Sequence, residues 1–176
     1  MIIEIITGIG ERIMSRYEDD PSNQGQRLGS HFSLSVVMYH QAVADKAGLH
    51  VTDYKCLGTI QLHEDMTPGK LARLTGLSTA AITSVIDRLE RDGYVRRIAD
   101  PADRRRTLIQ ADRGKINAVI VPIMREFFAS MGRLFSQYEP RDVQLITDFL
   151  VRMTDLFAEE TRKLRGDSGR SAGEDD

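Results

Sequence analysis

Five arginines, Arg96, Arg97, Arg104, Arg105 and Arg106, flank the segment Asp100-Pro101-Ala102-Asp103. Guanidinium forks pair with phosphate oxygens and fit a narrow, electronegative minor groove. Such a cluster is chemistry for a polyanion. Asp100 and Asp103 could each brace an arginine by a bidentate pair, although an exposed pair adds little stability. A solvated charged loop has a similar composition, so the neighbouring residues must separate the two readings. Immediately upstream, Thr79, Ala80, Thr83, Ser84, Asp87, Arg88 and Arg91 share one helical face. Its front is small and short, and its rear carries two arginines. A helix that enters a major groove needs short side chains, donors for base edges and cations near phosphates. Arg88 can pair with guanine O6 and N7 or hold a phosphate. An ordinary amphipathic surface helix shows the same division of faces.

These residues need elements to position them. Thr67 to Ala111 reads as helix, tight turn, helix, then a short β-hairpin. Thr67 is a good N-cap, and Pro68 suits the first helical position. Leu71, Ala72 and Leu74 give this helix an apolar side, and Gly76 permits the left-handed backbone that ends it. Ser78 caps a second helix from Thr79, where Ile82, Val85, Ile86 and Leu89 recur at i, i+3, i+4 and i+7. Gly93 closes that helix. Tyr94 to Ile98 and Thr107 to Ala111 are strand-like, anchored by Val95, Ile98, Leu108 and Ile109, with turn chemistry between them.

The run LSTAAITSVIDRLERDGYVRRIADPADRRRTLIQADRGK resembles the recognition helix and wing of the MarR family of winged helix-turn-helix regulators. Its DPADRR segment resembles the family's wing signature, and the wider pattern extends from about Ser30 to Lys163. The resemblance implies a mainly α fold with a small β-hairpin, a winged helix-turn-helix with terminal dimerisation helices. It implies a homodimeric transcription regulator, a repressor, on double-stranded DNA with a palindromic operator. A small aromatic or anionic effector would release it. DNA-binding roles then fall on Ser78, Thr79, Ala80, Thr83, Ser84, Arg88, Arg97, Asp103, Arg104, Arg105 and Arg106. Asp103 and Arg105 match the family wing's most characteristic polar positions. Arg105 is expected in the minor groove, with Arg104 and Arg106 on phosphates. The effector cleft would be lined by His31, Tyr39, His40 and Tyr54. In one departure, Ala111-Asp112 stands where the family usually has Leu-Thr before a Gly-bearing helix start. Asp caps a helix as Thr does, so the geometry should survive.

The rest of the chain divides into residues 1–50 (N-terminal helices for dimerisation and the ligand cleft), 51–112 (the winged domain), 113–165 (C-terminal dimerisation helices) and 166–176 (a disordered tail). Residues 2–17 carry an isoleucine stripe that calls for a partner surface. Residues 18–29 read as a polar linker. A helix follows from His31 to Lys46 with Phe32, Val36, Tyr39, Val43 and Ala47 inside. Thr52 caps the next, with Tyr54, Leu57, Ile60 and Leu62 as apolar positions. Gly114 to Tyr138 forms a long helix that Pro122 should kink. Pro140 opens the last helix, whose Val143, Leu145, Ile146, Phe149, Leu150, Met153, Leu156 and Phe157 are expected to pack. These terminal faces are broader than one winged core can cover. A two-fold dimer would cover them and set two recognition helices about one DNA turn apart.

The formal charge of −2 does not advertise a nucleic-acid partner. The distribution does: between Arg88 and Arg106 seven arginines face four acids. A single cysteine excludes an intrachain disulfide and suits a reducing cytoplasm. No apolar run approaches membrane-spanning length, and the start lacks a basic n-region of a secretion signal. His31, His40, His50 and His63 match no metal-ligand spacing. Cys56, on an apolar helix, reads as buried and inert. No catalytic constellation is present, so neither an enzyme nor a cofactor is expected. Two functions remain, a DNA-binding regulator and a winged protein-interaction module with little DNA affinity. A protein-binding wing has no need of five arginines, which favours the regulator.

Overall fold

The computed structural model describes residues 21–103 and 105–166. The isoleucine stripe of residues 2–17, Arg104 and the tail from 167 onward lie outside the described residues. Among the described residues six helices and one hairpin occur in the order α1 (Pro21–Ala47), α2 (Val51–Gln61), α3 (Pro68–Thr75), α4 (Thr79–Arg91), β1 (Val95–Ala99), β2 (Thr107–Ala111), α5 (Arg113–Phe135) and α6 (Pro140–Leu164). The protein is mostly helical, as expected. Its residues form two compact units, one ending at Arg125 and the other beginning at Glu126.

In the first unit, the apolar face of α4 is the centre of the core. Ile82, Val85, Ile86 and Leu89 are all buried and pack with Cys56, Leu57 and Ile60 of α2. Leu71 of α3, Ile109 of β2 and Ile116 and Ile120 of α5 close the cluster. The helix starts follow local chemistry. Thr67 Oγ1 accepts from Lys70 N at 3.1 Å, and Ser78 Oγ accepts from Ala81 N at 3.2 Å. Between them Gly76 takes φ 74°, a left-handed conformation that strains a residue with a Cβ. The strands pair antiparallel with Val95 opposite Ala111 and Ile98 opposite Leu108. Ile109 N also donates to Met66 O at 2.7 Å, tying the hairpin to the turn before α3.

The Asp112 departure keeps the geometry. Asp112 Oδ1 accepts from Lys115 N at 2.7 Å, a side-chain cap on α5. A Cβ at Gly114 would stand 3.2 Å from that same oxygen, so glycine leaves the cap its room.

Several local expectations are corrected. Pro21 to Gly29 is not a linker but the first part of α1, which runs unbroken through Gly25 and Gly29. Extending a helix costs far less than nucleating one, so a polar stretch joined to a good helix is carried into it. The N-cap of α2 is His50, with extended backbone and no side-chain cap bond, rather than Thr52. Phe32, Leu62 and Leu74 are exposed rather than inside. The helix bearing Pro122 spans Arg113–Phe135 rather than residues 114–138.

The second unit holds the end of α5 and α6. Pro140 sits at the start of α6, and Arg162 and Lys163 occupy its last turn, where cations suit the negative end of the dipole. Within the single chain none of the residues of α6 is buried. Leu145, Phe149, Leu150, Leu156 and Phe157 are exposed. Helical periodicity reports that a face is apolar, not which surface covers it.

Candidate nucleic-acid interface

Burying Ile82, Val85, Ile86 and Leu89 turns Thr79, Ala80, Thr83 and Ser84 outward, and all four are exposed. Thr83 Oγ1 donates to Thr79 O at 3.0 Å and Ser84 Oγ to Ala80 O at 3.1 Å. With their protons held by the helix, these hydroxyls present lone pairs outward, suited to amino groups on base edges. Ser78 is exposed at the helix start, and its oxygen serves the cap.

The wing is braced by its own aspartates. Asp100 Oδ1 accepts from Ala102 N at 2.8 Å, and Asp103 Oδ1 accepts from Arg105 N at 3.0 Å. These are Asx-type turns, the reason aspartate favours such positions. Asp103 also meets Arg105 Nε at 3.3 Å, while the Arg105 side chain stays 92% exposed. Arg106 Nε lies 3.6 Å from Asp100 Oδ2, and its side chain is exposed.

Two arginines of the expected set make ion pairs within the unit. Arg88 donates from Nε to Asp53 Oδ2 at 2.8 Å and from Nη2 to Asp53 Oδ1 at 2.6 Å. That hydrogen-bonded carboxylate is the main cause holding the Arg88 guanidinium above its ordinary pKa. Arg97 reaches back from β1 to α4, with Nη2 on Asp87 and Nη1 on Glu90. Its hydrogen bond to Asp87 is the leading cause of its raised pKa. Both contacts span the fold: Asp53 is 35 residues from Arg88 and Asp87 ten from Arg97. Helical spacing could not pair them. The only sequence signal was a lone acid, Asp53, among apolar positions of a short helix.

Of the four proposed ligand residues, three come together. His40 and Tyr54 meet edge-on at 5.7 Å, and Tyr39 tilts toward His40 at 6.3 Å. Burial raises the pKa of both tyrosines and lowers that of His40, with Lys55 adding to the latter. The Tyr54 hydroxyl donates to Met124 Sδ at 3.5 Å. His31 lies nine residues before His40 on the same helix, about 14 Å along its axis. A separate cleft of about 890 Å³ opens between the end of α2, the hairpin and the start of α5, with His63, Arg96, Gln110 and Arg113 in its walls. It contains none of the four.

Cys56 is buried, and its thiol is pushed up to about 11, mainly by burial and then by Asp53. A thiol held protonated is a poor nucleophile. Among the described residues no group of His, Cys, Asp and Glu could hold a metal ion. No helix among them is long and apolar enough to cross a membrane.

Helix, turn, capped second helix and arginine-tipped hairpin define a winged helix-turn-helix protein. The sequence model of the MarR family matches residues 49–107. The chain is 36% identical over 132 residues to YcgE of Bacillus subtilis (strain 168), an HTH-type transcriptional regulator, covering 73% of this chain and 83% of that protein. The chain belongs to the MarR family, and its class is transcriptional regulator. Solved structures share the fold. Regulator Tm0710 from Thermotoga maritima has a TM-score of 0.56 at 24% identity, over 79% of this chain and 97% of that one. A MepR mutant from S. aureus bound to an oligodeoxyribonucleotide has a TM-score of 0.51 at 18% identity, over 75% of this chain and 96% of that one.

Proposed function

We propose that this regulator binds a palindromic site in double-stranded DNA as a cytoplasmic homodimer. Residues 51–112 would form the DNA-binding domain, and the helices on either side the dimerisation elements. The observation that carries this reading is one surface of α4 and the wing. Its short exposed row, Thr79, Ala80, Thr83 and Ser84, lies on the helix that precedes a hairpin tipped by Arg105. In this reading the row enters the major groove and Arg105 the adjacent minor groove, with Arg104 and Arg106 on phosphates. Asp103 holds the loop in shape for Arg105. The DNA-bound MepR structure, which shares the fold, supports the assignment. Ser78 contributes as a cap, and Arg97 as a brace between wing and helix. The exposed apolar face of α6 supports the dimer. The Tyr39, His40 and Tyr54 cluster, aromatic bodies with polar tips, supports a pocket for a small aromatic or anionic effector.

The test is a gel shift of the full chain on duplexes selected from a random pool, at two salt concentrations, with and without phenolic acids. Arg105→Ala should bind every duplex about tenfold more weakly, with a salt slope smaller by about one. Its melting temperature should not move, since the side chain is 92% exposed. Unchanged affinity at moderate salt would remove Arg105 from the interface. No DNA binding by the parent chain would favour a protein-interaction module.

A further inference from the structure

The Asp53–Arg88 pair is unlike the other ion pairs around the recognition helix. Asp53 is 2% exposed, set in the core on α2 beside Cys56 and Leu57, and both its oxygens face the Arg88 fork. Buried apolar residues of α2 and α4 pack in the same core cluster. Hydrophobic contact is non-directional, so an apolar seam sets the roll and register of a helix less strictly than a directional pair does. A bidentate carboxylate–guanidinium pair admits one orientation. Asp53 is buried while the Arg88 side chain is 33% exposed; the best-attested use of a buried charge pair is to specify register rather than to add stability. Arg88 stands one turn beyond Ser84, on the same helix as the exposed row.

We infer that Asp53 is a positioning residue for DNA recognition. It holds Arg88, and through it the roll and register of α4, in the attitude that presents Thr79, Ala80, Thr83 and Ser84 to the groove. Arg88 is then an anchor of the recognition helix and reads no base. This inference rests on the DNA-binding reading above, and its test separates the two by sign. If Arg88 were a DNA contact restrained by Asp53, removing the acid would free a cation and strengthen binding. If the pair is a lock, removing the acid weakens binding.

The experiment measures affinity of the full chain, Asp53→Asn, Arg88→Met, the double variant and Arg88→Lys, for a selected duplex and a scrambled one of equal length. Asp53→Asn and Arg88→Met should each lower affinity for the selected duplex about tenfold and for the scrambled one much less. The salt slope should stay unchanged, and the double variant should be no worse than the weaker single. Arg88→Lys keeps the charge but not the fork, so it should behave as Arg88→Met does. This variant keeps the question open to disproof if Asp53→Asn folds poorly. Tighter binding by Asp53→Asn would overturn the lock. So would full affinity in Arg88→Lys, or an equal loss on both duplexes with a salt slope reduced by about one in Arg88→Met. Failure of the parent chain to bind either duplex would overturn the DNA reading, and this inference with it.

Discussion

Phe149→Asp combined with Phe157→Asp is expected to turn the proposed dimer into a folded monomer. Both side chains lie on α6, at 59% and 65% exposure, among Leu145, Leu150 and Leu156, which are also exposed. Contiguous apolar surface of this kind marks an association site in soluble proteins. Buried in a dimer, each introduced carboxylate would have to be desolvated without a cation, a cost of several kcal/mol per ion. In the monomer the same carboxylates stay in water. Helix content should therefore be retained while sedimentation velocity shows half the mass. Operator affinity should fall by at least about a hundredfold, since a second half-site then has to be found independently. A dimer of unchanged stability would assign the association to another surface.

Leu89→Ala should cost about 2–5 kcal/mol of stability, the range for emptying a packed leucine site. Leu89 is completely buried where α4 meets the rest of the core, and its carbonyl accepts from Tyr94 N at 2.8 Å as the chain leaves for the hairpin. Domains of this size are stable by only about 5–15 kcal/mol, so the loss is a large share of the total. Urea unfolding followed by circular dichroism should show a lower midpoint. Leu89 faces away from the exposed row, so DNA affinity should return when the variant is assayed cool enough to be folded. A midpoint within experimental scatter of the parent's would mean that the site closes around alanine.

What could be read along the chain had short-range causes. The caps at Thr67 and Ser78 act on amides three residues on, and the Asp100 and Asp103 turns on amides two residues on. The apolar face of α4 repeats within one helix. Such features are dictated by backbone geometry and side-chain reach, so residue order was enough to place the helix pair, the hairpin and the exposed row. Asp112 as cap of α5 followed from the same logic.

Tertiary structure decided which partners Arg88, Arg97 and Arg106 meet. Arg88 and Arg106 are the same residue type eighteen positions apart, yet one is clamped on a buried acid from α2 and the other is exposed on the wing. Arg97 looked like its neighbours at the hairpin until folding brought Asp87 and Glu90 against it. It also decided that residues 21–29 continue a helix and that the apolar face of α6 is not covered by its own chain. The physical reason is common to all of these. Sequence order determines periodicity and local hydrogen bonds, because their partners lie within a turn. The partner of a charge or an apolar face is chosen by packing, and packing joins residues that the chain keeps far apart.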